Sequence, residues 1–185
     1  MQPSEDVDNG STIMDLNENI RITFQKLREE DEASISNFLF GLSQQSIYYR
    51  FISHNKFTVP KIKEMIATDL SEMKQHNAIS LIGSIMDTRQ GKETIAMGAY
   101  YPEDSNRKAE VAIVVGDIWQ RKTIGSFLFK TLAVLAKHNG IAHFTALVCV
   151  KNIAMQKVIE KIDLPLLRHV EDALYYYEID LTAYQ

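Results

Sequence analysis

A single cysteine in 185 residues excludes any intrachain disulfide framework and fits a reducing compartment. No apolar run approaches the length of a membrane span, and the polar N-terminus lacks the basic-then-apolar order of a signal peptide. Both absences point to a cytoplasmic protein with no membrane partner. An excess of positive charge is missing too: the net charge is −4 and the isoelectric point near 5.7, which gives no general footprint for nucleic acid. The five histidines, His54, His76, His138, His143 and His169, show no metal-ligand spacing, so no metal site is expected. Internal repeats and long low-complexity segments are absent as well.

What is present is enough apolar material for one domain. At 45% hydrophobic and 24% charged, the chain can bury one core but is short for two. Residues 1–19 are polar and acidic, with only Ile13, Met14 and Leu16 apolar near their end, and read as an N-terminal tail, mobile or docked through those three residues. The domain is expected over 20–185. Alternation marks a first strand at Ile20–Phe24, and three helical stretches follow, the second capped by Ser43 and the third opened by Thr58-Val59-Pro60. Strands are expected at Ala78–Met86 and Thr94–Tyr101, then a central strand carrying Glu110, a helix, a strand at Ala142–Val150 and a helix at Asn152–Ile162. Leu164–Val170 and Ala173–Ile179 close the chain as a strand pair. Cys149, inside an apolar run, reads as core.

The chemistry concentrates between Glu110 and Leu135. A β-branched run, Val111–Val115, leads into the basic turn Gln120-Arg121-Lys122-Thr123-Ile124-Gly125, and an amphipathic helix follows. The first amides of a helix lack partners within it, and the helix dipole adds positive charge there, so this turn can hold a diphosphate. Arg121 and Lys122 add full charges, and Gly125 sets no side chain between a phosphate and the backbone. Trp119 reads as a packing residue beneath the turn.

Gln120-x-x-x-x-Gly125 resembles the (Gln/Arg)-x-x-Gly-x-(Gly/Ala) loop with which the GNAT acetyltransferases wrap the pyrophosphate of acetyl-CoA; Thr123 stands where that loop has its first Gly. Thr123 can take helical angles and cap the helix there. The element order also resembles that family. Within it, Ala109–Val114, Asp117-x-Trp119-Gln120 and the segment Gly41–Phe51 are similar to the acetyltransferase domains of bacterial protein-lysine acetyltransferases. The resemblance implies an α+β acyl-CoA N-acyltransferase fold of three layers, a mixed and mostly antiparallel central sheet flanked by helices.

It also implies roles. Glu110 matches the general base of the protein-lysine acetyltransferases; the bland alternative is a strand-end carboxylate paired with Arg107 or Lys108. Among apolar neighbours an unpaired Glu110 carboxylate would be costly. Ile113, Val114 and Val115 would lend backbone groups to pantetheine, and Gln120, Arg121, Lys122, Thr123, Ile124, Gly125 and Ser126 would hold the pyrophosphate. Asn152 would contact pantetheine, as its counterparts often do, or serve only as a helix N-cap or turn residue. The tyrosine that many relatives use as general acid has no counterpart among Met155, Ile159 and Glu160, and the acid is unassigned. Tyr48, Tyr49 and Arg50 would wall an acceptor cleft, with core packing the favoured role for Tyr48, and Tyr175-Tyr176-Tyr177 would alternate between core and cleft. The implied activity is acetyl transfer from acetyl-CoA to a primary amine, a protein lysine first, by direct transfer in a ternary complex. The alternatives are a small cationic amine as acceptor, or a non-catalytic acyl-CoA-binding sensor or interaction module. A homodimer is left open.

Overall fold

The computed structural model describes residues 11–53, 55, 57–87, 91–103 and 107–184. His54 and the tip of the expected turn at 104–106 lie outside the described residues, as does the tail before residue 11. The strands are β1 (Thr12–Asn17), β2 (Ile20–Lys26), β3 (Ile79–Asp87), β4 (Gly91–Pro102), β5 (Lys108–Val115), β6 (His143–Cys149), β7 (Leu166–Glu171) and β8 (Leu174–Asp180). The helices are α1 (Glu32–Gly41), α2 (Gln44–Phe51), α3 (Val59–Gln75), α4 (Ile124–His138) and α5 (Ile153–Glu160). Single 3-10 turns at Glu29–Asp31 and Asp117–Trp119 precede α1 and follow β5.

Eight strands form one sheet in the order β1-β2-β3-β4-β5-β6-β8-β7, antiparallel everywhere except between β5 and β6. The expected element order holds with one strand added in front. Thr12–Asn17, assigned to the tail from sequence, pair with β2 from Thr12↔Phe24 to Asn17↔Ile20. The correction has a simple cause. Three apolar residues among acidic ones carry a weak pattern, but the free edge of β2 supplies the ladder, Met14 is buried, and Arg21 holds Asp15 at 2.8 Å.

Helices cover both faces. On one, α1 and α3 bury Ile35, Phe38, Leu39, Ile62 and Ile66 against Ile82 and Val114 of the sheet. On the other, α4 buries Phe127, Leu128, Phe129 and Leu132 against Tyr100, Val111, Phe144 and Val148. Each such side chain contributes about 1.5–3 kcal/mol when withdrawn from water. Ala133 and Ala136, also fully covered, let α4 lie close to the strands. Gly98 is needed for the same reason: a Cβ there would stand 2.9 Å from both Ile113 and Leu128. Caps end the elements where the sequence places them, with Ser43 accepting from the Ser46 N–H, Thr58 from that of Lys61 and Asn152 from that of Met155.

Candidate active site

The site arises where the sheet fails to close. β5 and β6 pair only at Lys108↔His143, Ala109↔Phe144 and Glu110↔Thr145, although β5 continues to Val115 and β6 to Cys149. Past Glu110 the strands diverge. A cleft of about 350 Å³ opens there, lined by Glu110, Val111, Ala112 and Ile113 from β5, Ala146 to Val148 from β6, Tyr49 to Ile52, and Asn152 with Met155.

The ladder dictates which backbone groups face this gap. The Lys108 carbonyl accepts from Glu103, and the Gly116 N–H donates to Ile95, so both ends of β5 bond towards β4 at even-numbered residues. Facing alternates along an antiparallel strand, and the β4–β5 register is unbroken from Ala96↔Val115 to Pro102↔Ala109. Ala112 and Val114 therefore bond to β4, whereas the main chains of Ile113 and Val115 point towards the gap. This corrects the expectation for Val114: its backbone is engaged and its side chain is buried against α1 and α3. The Val115 carbonyl is met by the Gln120 side-chain amide at 3.1 Å.

Glu110 lines the cleft with its side chain exposed, not enclosed among apolar groups as the sequence suggested. Strand pleating is the reason: Ala109 and Val111 turn into the core and Glu110 turns out between them. Neither of the bland partners reaches it. Lys108 pairs with Glu178 at 2.7 Å, and Arg107 donates to the Gly140 carbonyl at 3.0 Å. Tyr101, directly across on β4, shares the Glu110 face and donates its hydroxyl to the buried Asp69 carboxylate at 2.7 Å; Ser80 donates to the other oxygen at 3.0 Å. Burial and the Asp69 charge push the Tyr101 phenol well above its ordinary range, so it stays a neutral donor.

The basic turn lies at the open end of β5. Phe127 is the first residue of α4 to bond back, to the Thr123 carbonyl, which leaves the amides of Ile124, Gly125 and Ser126 without helical partners. Arg121 and Lys122 are exposed beside them, Lys122 resting 4.8 Å from the centre of the Trp119 ring. Gly125 sits over Ile113, Val115 and Val158, where a Cβ would find ordinary contact distances of 3.5–3.7 Å. Thr123 departs from expectation. It occupies the N-cap position but with φ 63° in the left-handed region, and its hydroxyl donates to the neighbouring Lys122 carbonyl instead of receiving a helix amide. A β-branched residue there costs about 1–2 kcal/mol, which is why glycine suits this position. Arg121 is also left-handed, at φ 62°.

The remaining expectations divide. Asn152 caps α5, as one reading of it had, and also lines the cleft. Tyr49 and Arg50 line the cleft; the Arg50 Nε is shut from solvent without a hydrogen-bond partner and its guanidinium stacks 4.8 Å from the Phe51 ring. Tyr177 is core, whereas Tyr176 faces the opposite side and stacks on His169. Cys149 is buried. Among the described residues no group of three His, Cys, Asp or Glu side chains is placed to hold a metal ion. The sequence did not reveal that Asp117, Ser43, Ser46 and Gln120 are joined in one hydrogen-bonded cluster; residues 74 apart carry no local signal of contact.

A family model described as an acetyltransferase (GNAT) domain matches residues 21–164. Acetyltransferase Pat of Mycolicibacterium smegmatis is 31% identical over 121 residues, 65% of this chain and 34% of that protein, so the chain spans about a third of the curated relative it matches. The GNAT domain of S. lividans PAT superposes with a TM-score of 0.77 at 24% identity, over 94% of this chain and 98% of that one. A putative acetyltransferase from Salmonella typhimurium, solved with its cofactor acetyl-CoA, superposes at 0.67 with 13% identity, over 86% and 94% of the two chains.

Proposed function

The chain belongs to the GNAT acetyltransferase family, and from that premise we propose that it transfers the acetyl group of acetyl-CoA to a primary amine, a protein lysine being the favoured acceptor. The observation that carries the proposal is the three-residue limit of the β5–β6 ladder, with Glu110 at its last rung and the basic turn at the open end. A pantetheine arm is a chain of amides, and the free main chain of Ile113 together with the Val115 N–H offers it strand-like hydrogen bonds. The pyrophosphate fits the amides of Ile124 to Ser126, with Arg121 and Lys122 adding charge. Gln120 holds the turn against β5, and Asn152 stands at the opposite lip. The residues fit the group, with Thr123 as the one local misfit.

Bound acetyl-CoA supplies an activated acyl carbon on a thiol leaving group. Most amines are protonated near neutral pH, so the acceptor must first lose a proton. Glu110, exposed in the cleft and without an ion-pair partner among the described residues, takes that proton directly or through one water. The amine nitrogen then bonds to the acyl carbon, the carbon–sulfur bond breaks, and coenzyme A leaves as a thiolate that acquires a proton. A thiolate leaves readily, so this step tolerates the lack of an assigned acid. Buried Cys149 has no part in such direct transfer. A protein lysine is favoured because the Gly41–Phe51 and Asp117–Gln120 segments resemble those of protein-lysine acetyltransferases. No helix among the described residues is long and apolar enough to cross a membrane; a cytoplasmic location belongs to the proposal.

The test is calorimetric titration of acetyl-CoA into the native protein and into Thr123→Gly, followed by thiol release with protein and small-amine acceptors. Binding by the native protein with amine-dependent thiol release is expected. Binding that appears only in Thr123→Gly, or binding without turnover on any amine, would favour the non-catalytic acyl-CoA module, for which the strained Thr123 is the specific argument.

A further inference from the structure

α2 is built as a bar across the open end of the β5–β6 gap, and it is tied to the chain leaving each strand. On the β5 side, Asp117 accepts from the Ser43 hydroxyl at 2.7 Å, the Ser46 hydroxyl at 2.8 Å and the Ser43 N–H at 2.9 Å. Gln120 donates both to the Ser46 hydroxyl and to the Val115 carbonyl, each at 3.1 Å. On the β6 side, the Tyr49 hydroxyl donates to the Lys151 carbonyl at 3.1 Å and accepts from Gln45 at 3.0 Å, which braces it along the helix. Between these ties lie Tyr49, Arg50 and Phe51, which wall the cleft opposite Glu110.

The character of the attachment matters. Ser46 is the one buried residue within α2, and Ile47 and Phe51 are only partly covered. An eight-residue helix has little stability of its own, so its place depends on these polar ties. Those on the β5 side converge on the segment that runs from Asp117 into the basic turn, where Arg121 and Thr123 hold left-handed angles. Local strain and sparse apolar contact place this unit at the low-stability end of the fold.

We propose that Asp117 is a positioning residue through which occupancy of the phosphate turn orders α2, so that acetyl-CoA binding sets the acceptor wall in place. The inference rests on the acetyl-CoA reading above and goes beyond it. An anion seated on the amides of Ile124 to Ser126 fixes the turn, the turn fixes Asp117 and Gln120, and these hold Ser43 and Ser46 at the start of α2. Because such coupling is reciprocal in free energy, an acceptor resting on Tyr49 and Arg50 tightens acetyl-CoA in return.

Hydrogen exchange on the full chain, with and without saturating acetyl-CoA, tests this without an identified acceptor. In the native protein the amides of Gly125–Leu128 and of Tyr48–Ile52 are both expected to slow, the latter by roughly 5–100-fold. In Asp117→Ala the first set still slows and the second no longer responds. The variant Ser46→Ala removes a donor to Asp117 from the helix side while leaving the Ser43 cap of α2 in place, and is expected to weaken the response of the second set in the same way, which guards against a folding defect in Asp117→Ala. A helix that ignores acetyl-CoA in the native protein while Gly125–Leu128 slow would overturn the coupling. So would an unchanged response of Tyr48–Ile52 in the variants. If Gly125–Leu128 do not slow at all, the acetyl-CoA reading itself fails, and the coupling with it.

Discussion

The two ends of β5 differ first in their pairing. From Lys108 to Glu110 the strand is bonded on both sides; from Val111 onward it keeps β4 and loses β6. Side chains alternate between the two faces throughout, with the even-numbered face exposed at Glu110 and buried under helices at Val114. The difference teaches that the groove is made by unmet backbone valence and not by an unusual set of side chains. A buried N–H or C=O without a partner is costly, so a ligand rich in amides is the natural occupant of the open half. In the proposed transfer the closed half would carry the chemistry: Glu110 sits on the last shared rung, its backbone held firmly and its carboxylate without an ion-pair partner among the described residues.

Glu110→Gln asks most of that division. Turnover with an amine should fall about 100- to 1,000-fold, the usual worth of a positioned base, while acetyl-CoA affinity by calorimetry stays within experimental error. Equal loss in both would remove Glu110 from the chemistry. The contrast between neighbouring backbone groups is next. Without ligand, the Ile113 amide should exchange orders of magnitude faster than those of Ala112 and Val114, and acetyl-CoA should close the gap. Similar rates in the free protein would mean that the open half is bonded after all.

Gly98→Ala presses on the side-chain layer beneath the groove. With Ile113 and Leu128 each 2.9 Å from the new Cβ, urea unfolding should show a loss of about 1–3 kcal/mol, and acetyl-CoA binding should weaken as Ile113 shifts. Thr123→Gly should move both quantities the other way, by about 1 kcal/mol, as left-handed strain is removed and the turn is uncrowded.

The smallest effect is that of pH on Asp117. Burial would raise its carboxyl, but the hydrogen bonds from Ser43 and Ser46 outweigh it and hold the carboxyl below the ordinary carboxylate range. A depressed folded-state value means the stabilisation is complete above the unfolded value of about 3.9 and is lost as pH falls through the lower folded value. The stability difference between the native protein and Asp117→Asn should thus be flat from pH 7 to about 4.5 and shrink only below that. A decline nearer pH 6 would point to another group.

Much of this was legible in advance because it is periodic or local. The alternation of β5, the amphipathic α4 and the caps at Ser43, Thr58 and Asn152 follow from short-range steric and hydrogen-bonding rules, and they place the basic turn and Glu110 without any knowledge of the fold. β1 was missed because a strand with three apolar residues is specified by the edge it joins more than by its own pattern. Val114 was assigned to the groove because composition along a strand does not say which edge a main-chain group faces; only the register with β4 does. Thr123 was expected to cap, and the turn instead forces it left-handed.

Residue types, element order and the resemblance in the Glu110–Gly125 stretch were determined by the sequence itself, since each depends on neighbours within a few positions. The tertiary structure alone decided where β6 parts from β5, that Glu110 emerges without an ion-pair partner among the described residues while Lys108 turns to Glu178, and that α2 is tied to Asp117 on one side and Lys151 on the other. Those are contacts between segments about 35 to 100 residues apart, selected by the packing of whole elements, and no local rule encodes them.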